Sequence, residues 1–347
     1  MQKSFFYQSI LLLAITSSCI SNDTTDPKPN LNEDYKTGVI VTNEGGFLAN
    51  NASVSFFNTT TVNVTNYVFS EVNDQAKVGD VLQSAHYVDE HLYLLVNNSD
   101  KVIVTNDTFV HVATIENLTK PRYMVSKDGK GYITETVDYA EKGRLTILDL
   151  ERRFISKTIA MDYQPEGLII AGDYLFVSNQ GADNLFVISL LTEEVVDTVD
   201  VGIFPSGMVL DSDGDVWVIC TGSFSAEGDA SIYEIDATSF EVKSSVALGL
   251  DPDGKIAVDN SGEVIFFYEG QSIFKFDTSD PQAPASPWIT ESEATGFYGI
   301  GFSPDNLVFL ADAADFSEPG KVFFYNLSGV QISSFIAGIA TNGFVFK

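Results

Sequence analysis

The sequence predicts an all-β chain, a seven-bladed β-propeller of four-stranded blades, closed by pairing of the C-terminal strand with the N-terminal blade. Three observations predict it. A Pro-led marker recurs at Pro121, Pro165, Pro205 and Pro252, at intervals of 44, 40 and 47 residues. Each interval holds four short runs rich in β-branched and aromatic residues, such as 168–171, 175–177, 185–188 and 195–201, split by Gly-Asp, Gly-Ala-Asp-Asn and Thr-Glu-Glu. Such runs read as strands with no room for a helix, and four strands in a period of roughly 40–50 residues make a propeller blade. The ends of the repeat region also complement each other. Residues 339–347 look like a lone first strand, while 38–44, 52–58 and 64–70 look like three strands lacking a first.

The elements follow in order. Residues 1–18 carry one positive charge at Lys3, an apolar stretch centred on 10–15, and small residues directly before Cys19. They read as a secretory signal, too short to span a bilayer. Residues 19–37 are polar, acidic and Pro-containing, the composition of a flexible tether. The propeller occupies 38–347. One unit lies upstream of Pro121, with strands near 81–88, 91–97, 101–106 and 110–115; two lie downstream, starting near Gly254 and Phe297. One strand from the C-terminus and three from the N-terminus complete the seventh blade. Closing the ring removes the edges that an open row of strands leaves as aggregation sites.

Lys and Arg total 19 against 48 Asp and Glu, so the net charge of −29 repels phosphate backbones and excludes nucleic acid as a partner. Of the two cysteines, Cys220 lies in the apolar run Val-Trp-Val-Ile-Cys and reads as a buried small hydrophobe. His86, His91 and His111 lack the spacing of a metal site, and no nucleotide loop, nucleophile elbow or cofactor motif appears. The sequence therefore predicts no metal, no cofactor and no enzyme. Asp211 to Asp215 begins like a calcium loop but lacks its remainder. The same form recurs at 126–129, 259–262 and 303–306, so it reads as hairpin-turn chemistry, with Gly or Asn supplying the positive φ.

The segment 175–207, from Leu-Phe-Val-Ser-Asn to Phe-Pro-Ser-Gly, resembles the repeat of YVTN or YncE-like propellers, and the chain from about 38 to 347 is similar to DUF5074-like surface lipoproteins of that group. Residues 1–19 resemble a bacterial lipoprotein signal, which implies that Cys19 is lipidated. An ordinary signal peptide cleaved near Ser18 is the alternative and leaves Cys19 an unexplained thiol. The acidic residues after Cys19 resemble export signals to the outer face of the outer membrane. Asn43, Glu44 and Gly45 resemble the opening blade of propeller lipoproteins that capture vitamin B12 beside outer-membrane transporters. The resemblance implies a small-molecule ligand, a corrinoid being one, an outer-membrane transporter as partner, and a lipid anchor.

Function is expected on the loops between second and third strands, 43–52, 134–143, 179–184, 221–230 and 311–320, which vary while the strands do not. Phe47, Tyr139, Phe224 and Phe316 stand near their tips, with Gln180 among them. Tyr123, Tyr163, Phe204, Phe297 and Tyr298 stand at first-strand starts on the same face. A rim of rings separated by amides and carboxylates suits a large planar ligand with polar arms. Two other readings stay open: a platform for a protein or glycan, and a propeller lactonase or lyase, which needs metal-binding Glu, Asn and His at the axis.

Overall fold

A computed structural model describes residues 35–223 and 225–347; the signal, Cys19 and nearly all of the tether lie outside these, as does Phe224. Seven four-stranded antiparallel sheets form a closed ring, as the repeat count predicts. Blade 1 is made of Thr341–Phe346, Gly38–Asn43, Ser53–Asn58 and Asn63–Thr65. The closing register runs from Val39 opposite Phe346 to Asn43 opposite Thr341. Blades 2 to 5 begin with Leu82–Val88, Pro121–Lys127, Pro165–Ala171 and Pro205–Leu210, and blades 6 and 7 with Ile256–Val258 and Phe297–Phe302. These first strands are neighbours around the axis.

The core is divided among seven apolar layers, one between each pair of adjacent blades. A second strand is therefore covered on both faces, which explains why Leu92 to Val96 and Val216 to Cys220 are apolar without alternation and fully buried. Cys220 is among them, its thiol pushed up to about 12 by burial. The hairpin turns match their reading, with Gly129, Gly214, Gly262 and Asn306 all at positive φ. The Pro-x-Gly marker also has a physical cause. A Cβ on Gly167 would stand 2.3 Å from the Ser206 carbonyl, and one on Gly207 would stand 2.6 Å from that of Gly254, so glycine lets neighbouring first strands approach.

Four details depart from the sequence reading. The fourth strand of blade 1 was expected over 64–70 but ends at Thr65; Tyr67 takes a φ of 58° and a short helix, Val68–Val72, follows. Val68 and Phe69 are both buried against Tyr35, Phe56 and Phe109, and two consecutive side chains cannot share one face of a strand. The first strand of blade 6 starts at Ile256, so Pro252-Asp253-Gly254 stands one residue ahead of its counterparts in the other blades. The fourth strand of that blade is only Ile289–Thr290, because Pro281, Pro284 and Pro287 before it cannot donate to a ladder. Within 164–207, one 3-10 turn occupies Gln180–Ala182.

The connections from second to third strands and from each blade to the next lie on one face, called the mouth face below. Gly38 and Lys347, which exchange backbone hydrogen bonds, lie together on the opposite face.

Candidate functional site: the mouth and the axial collar

Two cavities lie at the mouth end. The outer one, about 740 Å³, opens over blades 3 to 5, between Tyr139, Gln164, Gln180, Phe204, the 221–227 loop and 251–253. Its walls are tied by their own polar groups. Gln180 N–H donates to the Gln164 carbonyl at 3.0 Å, and Gln180 Nε2 donates to Ser206 Oγ at 3.2 Å. The 221–230 loop is braced by Ser223 N–H on Asp229 (2.9 Å) and Gly228 N–H on Asp251 (2.7 Å). Phe204 takes a φ of 54° while its N–H donates to Asp183 at 3.1 Å, which turns the ring toward the cleft.

The floor of this cleft is a collar of charged and amide groups supplied mainly by the second and third residues of the first strands, with Lys255 just ahead of the first strand of blade 6 and Glu44 just past the second strand of blade 1. Arg122 grips Glu166 with two hydrogen bonds of 2.7 and 2.6 Å and donates to Gln83 Oε1 at 2.5 Å. Burial disfavours the Arg122 charge, but Glu166 holds the guanidinium protonated above its ordinary value. Asn342 donates to Glu44 (2.9 Å) and to the carbonyls of Leu82 and Gln83, while Tyr298 Oη donates to Glu44 at 3.2 Å. Lys255 Nζ donates to the carbonyls of Tyr298 (2.8 Å) and Asn342 (2.9 Å) and lies 4.5 Å from the Tyr298 ring centre. Burial lowers its pKa, with Glu44 and Glu166 opposing.

Beneath the collar is the second cavity, about 270 Å³, to which all seven blades contribute. Two residues past Gln83, Arg122, Glu166, Ser206, Gly254, Tyr298 and Asn342 stand apolar side chains: Ala85, Met124, Leu168, Met208, Ile256, Ile300 and Phe344. Strand register explains the match. A bulge after the first residue brings Met124, Leu168 and Met208 opposite the same position of their second strands.

The sequence-predicted site residues separate into three groups. Tyr139, Gln180 and Phe204 line the outer cleft together. Tyr123 and Tyr298 belong to the collar instead; Tyr123 Oη accepts from Gln83 Nε2 at 3.3 Å, and burial is the main cause raising the pKa of both phenols. Phe47, Tyr163 and Phe316 stand on the rim outside the cleft, at 74%, 38% and 50% exposure, with Phe316 edge-on to Tyr298 at 5.0 Å. Phe224 lies outside the described residues. Phe297 is a core residue, 3% exposed. Sequence reasoning missed the collar itself: Gln83, Arg122, Glu166, Lys255 and Asn342. The available signal was the residue after the marker proline, charged in two consecutive repeats as Arg122 and Glu166.

The histidines have separate partners: His86 Nε2 with Ser126 Oγ at 2.8 Å, His91 Nδ1 with the Asp89 carbonyl at 2.7 Å, and His111 Nε2 with Thr114 Oγ1 at 3.0 Å. Burial holds His86 neutral, lowering its pKa to about 4. In the Asp211 turn, Asp211 accepts from the N–H groups of Asp213 and Asp215 and from Trp217 Nε1. Among the described residues, Asp211, Asp215 and Glu234 form the one group of three spaced to hold a metal ion. Lys243 stands there, its ammonium 2.5 Å from Asp215 and 2.6 Å from Glu234.

No curated protein sequence matches the chain. The profile of the family described as "Domain of unknown function (DUF5074)" matches residues 37–309. Among solved structures, a quinonprotein alcohol dehydrogenase-like protein from Bacteroides thetaiotaomicron is similar, with a TM-score of 0.70, 13% identity, and 91% of this chain and 79% of that one covered. A protein described as "a putative 6-phosphogluconolactonase" from Bacteroides uniformis aligns with a TM-score of 0.66 and 11% identity over 90% of this chain and 99% of that one. Hydrazine synthase from Kuenenia stuttgartiensis aligns with a TM-score of 0.50 and 16% identity over 60% of this chain; the chain spans 63% of that protein's length. At these identities the likeness is one of fold.

Proposed function

The chain belongs to the DUF5074 family, and we propose that it is a non-enzymatic binding propeller that holds a small molecule in the outer cleft. One observation carries this reading: the rings of Tyr139 and Phe204 and the amides of Gln164 and Gln180 converge on a single cleft of about 740 Å³. Ring faces stack on a flat body and amides pair with polar arms. The collar below supports binding rather than turnover, since Glu44 and Glu166 are already engaged by Tyr298, Asn342 and Arg122. A corrinoid, a flat macrocycle bearing carboxamide arms, is the first ligand to test, on the resemblance carried by Asn43, Glu44 and Gly45. In this reading the protein is anchored through a lipid on Cys19 and passes its ligand to an outer-membrane transporter. A Cys19→Ala variant that still sediments with membranes would remove the anchor from the proposal.

Thermal shift of residues 20–347 against cobalamin, haem and a glycan panel tests the function, because a ligand that binds only the folded state raises the melting temperature by mass action. For the ligand found, Tyr139→Ala and Phe204→Ala should each weaken calorimetric binding by roughly 1–3 kcal/mol. Asp213→Ala, on the opposite face, should leave affinity unchanged. Tyr139→Ala and Phe204→Ala variants that bind like the wild type, or a panel without any shift, would contradict the proposal. A docking platform is the second reading, favoured by Phe47 and Leu48, both 74% exposed at one loop tip. A glycan or protein whose binding fails in Phe47→Ala and survives in Tyr139→Ala would replace the first reading by this one. Lactone turnover that chelation abolishes would replace both with an enzyme.

A further inference from the structure

The axial cavity has a polar upper wall, with Gln83, Glu166, Ser206, Lys255 and Asn342, and an apolar lower one. The lower wall is an apolar ring contributed by seven blades, and the volume of about 270 Å³ exceeds the roughly 150 Å³ that suffices to hold benzene in an apolar protein cavity. At its upper edge, the position next to the apolar ring is glycine in four blades: Gly167, Gly207, Gly299 and Gly343. Lys255 holds the same position in blade 6, where the crowding that favours glycine elsewhere gives no structural reason for an ammonium. Its environment is also incomplete. Two of its three hydrogens go to main-chain carbonyls, and among the described residues no carboxylate lies within 4.0 Å of Nζ. Arg122, by contrast, is matched by Glu166. A partly buried ammonium held by two neutral carbonyls and the face of the Tyr298 ring, with no counter-ion in contact, is costly unless an anionic acceptor completes it.

We propose that the axial cavity is a second subsite, which takes a small carboxylate with an apolar body: the carboxylate accepts the third hydrogen of Lys255 and the body rests on the ring formed by Met124, Leu168, Met208, Ile256, Ile300 and Phe344. The groups facing Lys255 are Glu44, beyond the Tyr298 hydroxyl, together with Glu166, Arg122 and Asp253. Arg122 and Glu166 satisfy each other, Glu44 is engaged by Tyr298 and Asn342, and Asp253 lines the outer cleft, so the free donor facing the axial cavity is the third hydrogen of Lys255. The subsite is independent of what fills the outer cleft.

The test uses the full chain and three probes with one body, hexanoate, hexanol and hexylamine, measured by calorimetry. Hexanoate should bind more tightly than either of the others. Lys255→Met should weaken hexanoate by about tenfold or more while leaving hexanol unchanged, the scale of one charge-assisted hydrogen bond. Tyr139→Ala, in the outer cleft, should leave hexanoate binding alone, so failure of the cleft reading does not affect this one. Lys255→Met places an apolar chain beside an apolar ring and should fold. Lys255→Gln keeps a donor for the carbonyls and removes the charge, and it should also lose hexanoate. Tighter binding of hexylamine, no binding of hexanoate, or full hexanoate affinity in Lys255→Gln would each overturn the proposal and leave Lys255 a clamp between blades.

Discussion

Deletion of residues 339–347 should abolish cooperative melting rather than lower its midpoint by a few degrees. The deleted strand supplies the closing ladder with Gly38–Asn43, and its side chains close more than that ladder. Asn43 Oδ1 accepts from Thr341 Oγ1 (2.9 Å), and Asn342 ties blade 1 to the first strand of blade 2. Phe344 and Phe346 pack on Phe309, and Lys347 Nζ donates to the carbonyls of Tyr35 and Asp107. Each lost buried hydrogen bond is worth about 1 kcal/mol and each buried ring about 2 kcal/mol, so together they rival the roughly 5–15 kcal/mol that holds a domain folded. Removing the strand also opens two sheet edges to association. Circular dichroism and size exclusion decide the matter: a truncated chain that stays monomeric and melts cooperatively within about 5 °C of the wild type would refute closure by this strand.

Arg122→Met should be the most damaging single substitution at the mouth. It leaves the Glu166 carboxylate, only 9% exposed, without its counter-ion. Breaking such a pair from one side costs about 3 kcal/mol, because the remaining charge stays buried, and for a chain of this size that lowers the melting temperature by roughly 5–10 °C. Adding Glu166→Gln to Arg122→Met should recover part of the loss, since the two side chains act as a unit. Arg122 also lines the outer cleft, so the single variant should weaken ligand binding as well. An unchanged melting temperature would mean that the pair is solvated and the collar is not a rigid frame.

The propeller was legible because its signals are local and repeated. Turn residues recur at one hairpin, Pro-x-Gly recurs at the mouth, and the unpaired strands at the two ends have only each other to join. What was not legible depends on which repeats become neighbours in space. Arg122 and Glu166 stand 44 residues apart and meet because their blades are adjacent. Asn342 and Glu44 stand 298 apart and meet because the ring closes there. Aromatics near loop tips drew attention in the sequence, yet Tyr298 is drawn inward by Glu44 and Lys255, and Phe297 one residue earlier faces the core. Adjacent residues on a strand face opposite ways, so being at a strand start does not say which of them reaches the mouth. The helix at Val68–Val72 was hidden for a related reason: a β-rich composition outweighed the demand that two consecutive side chains be buried together.

The meeting of Gly38 and Lys347 on the face opposite the mouth has a mechanical consequence. Were the chain anchored through Cys19, as proposed, the propeller would stand like a cup on its base, with the opening turned away from the anchor. Cargo arriving from outside would find the cleft unobstructed. Delivery to a receiver embedded in the same surface would require the cup to tip over on its stem, or the receiver to reach across the rim. The length of the stem, rather than the shape of the cleft, would then set how readily cargo changes hands, and shortening it would trap the cargo without altering how tightly it is held.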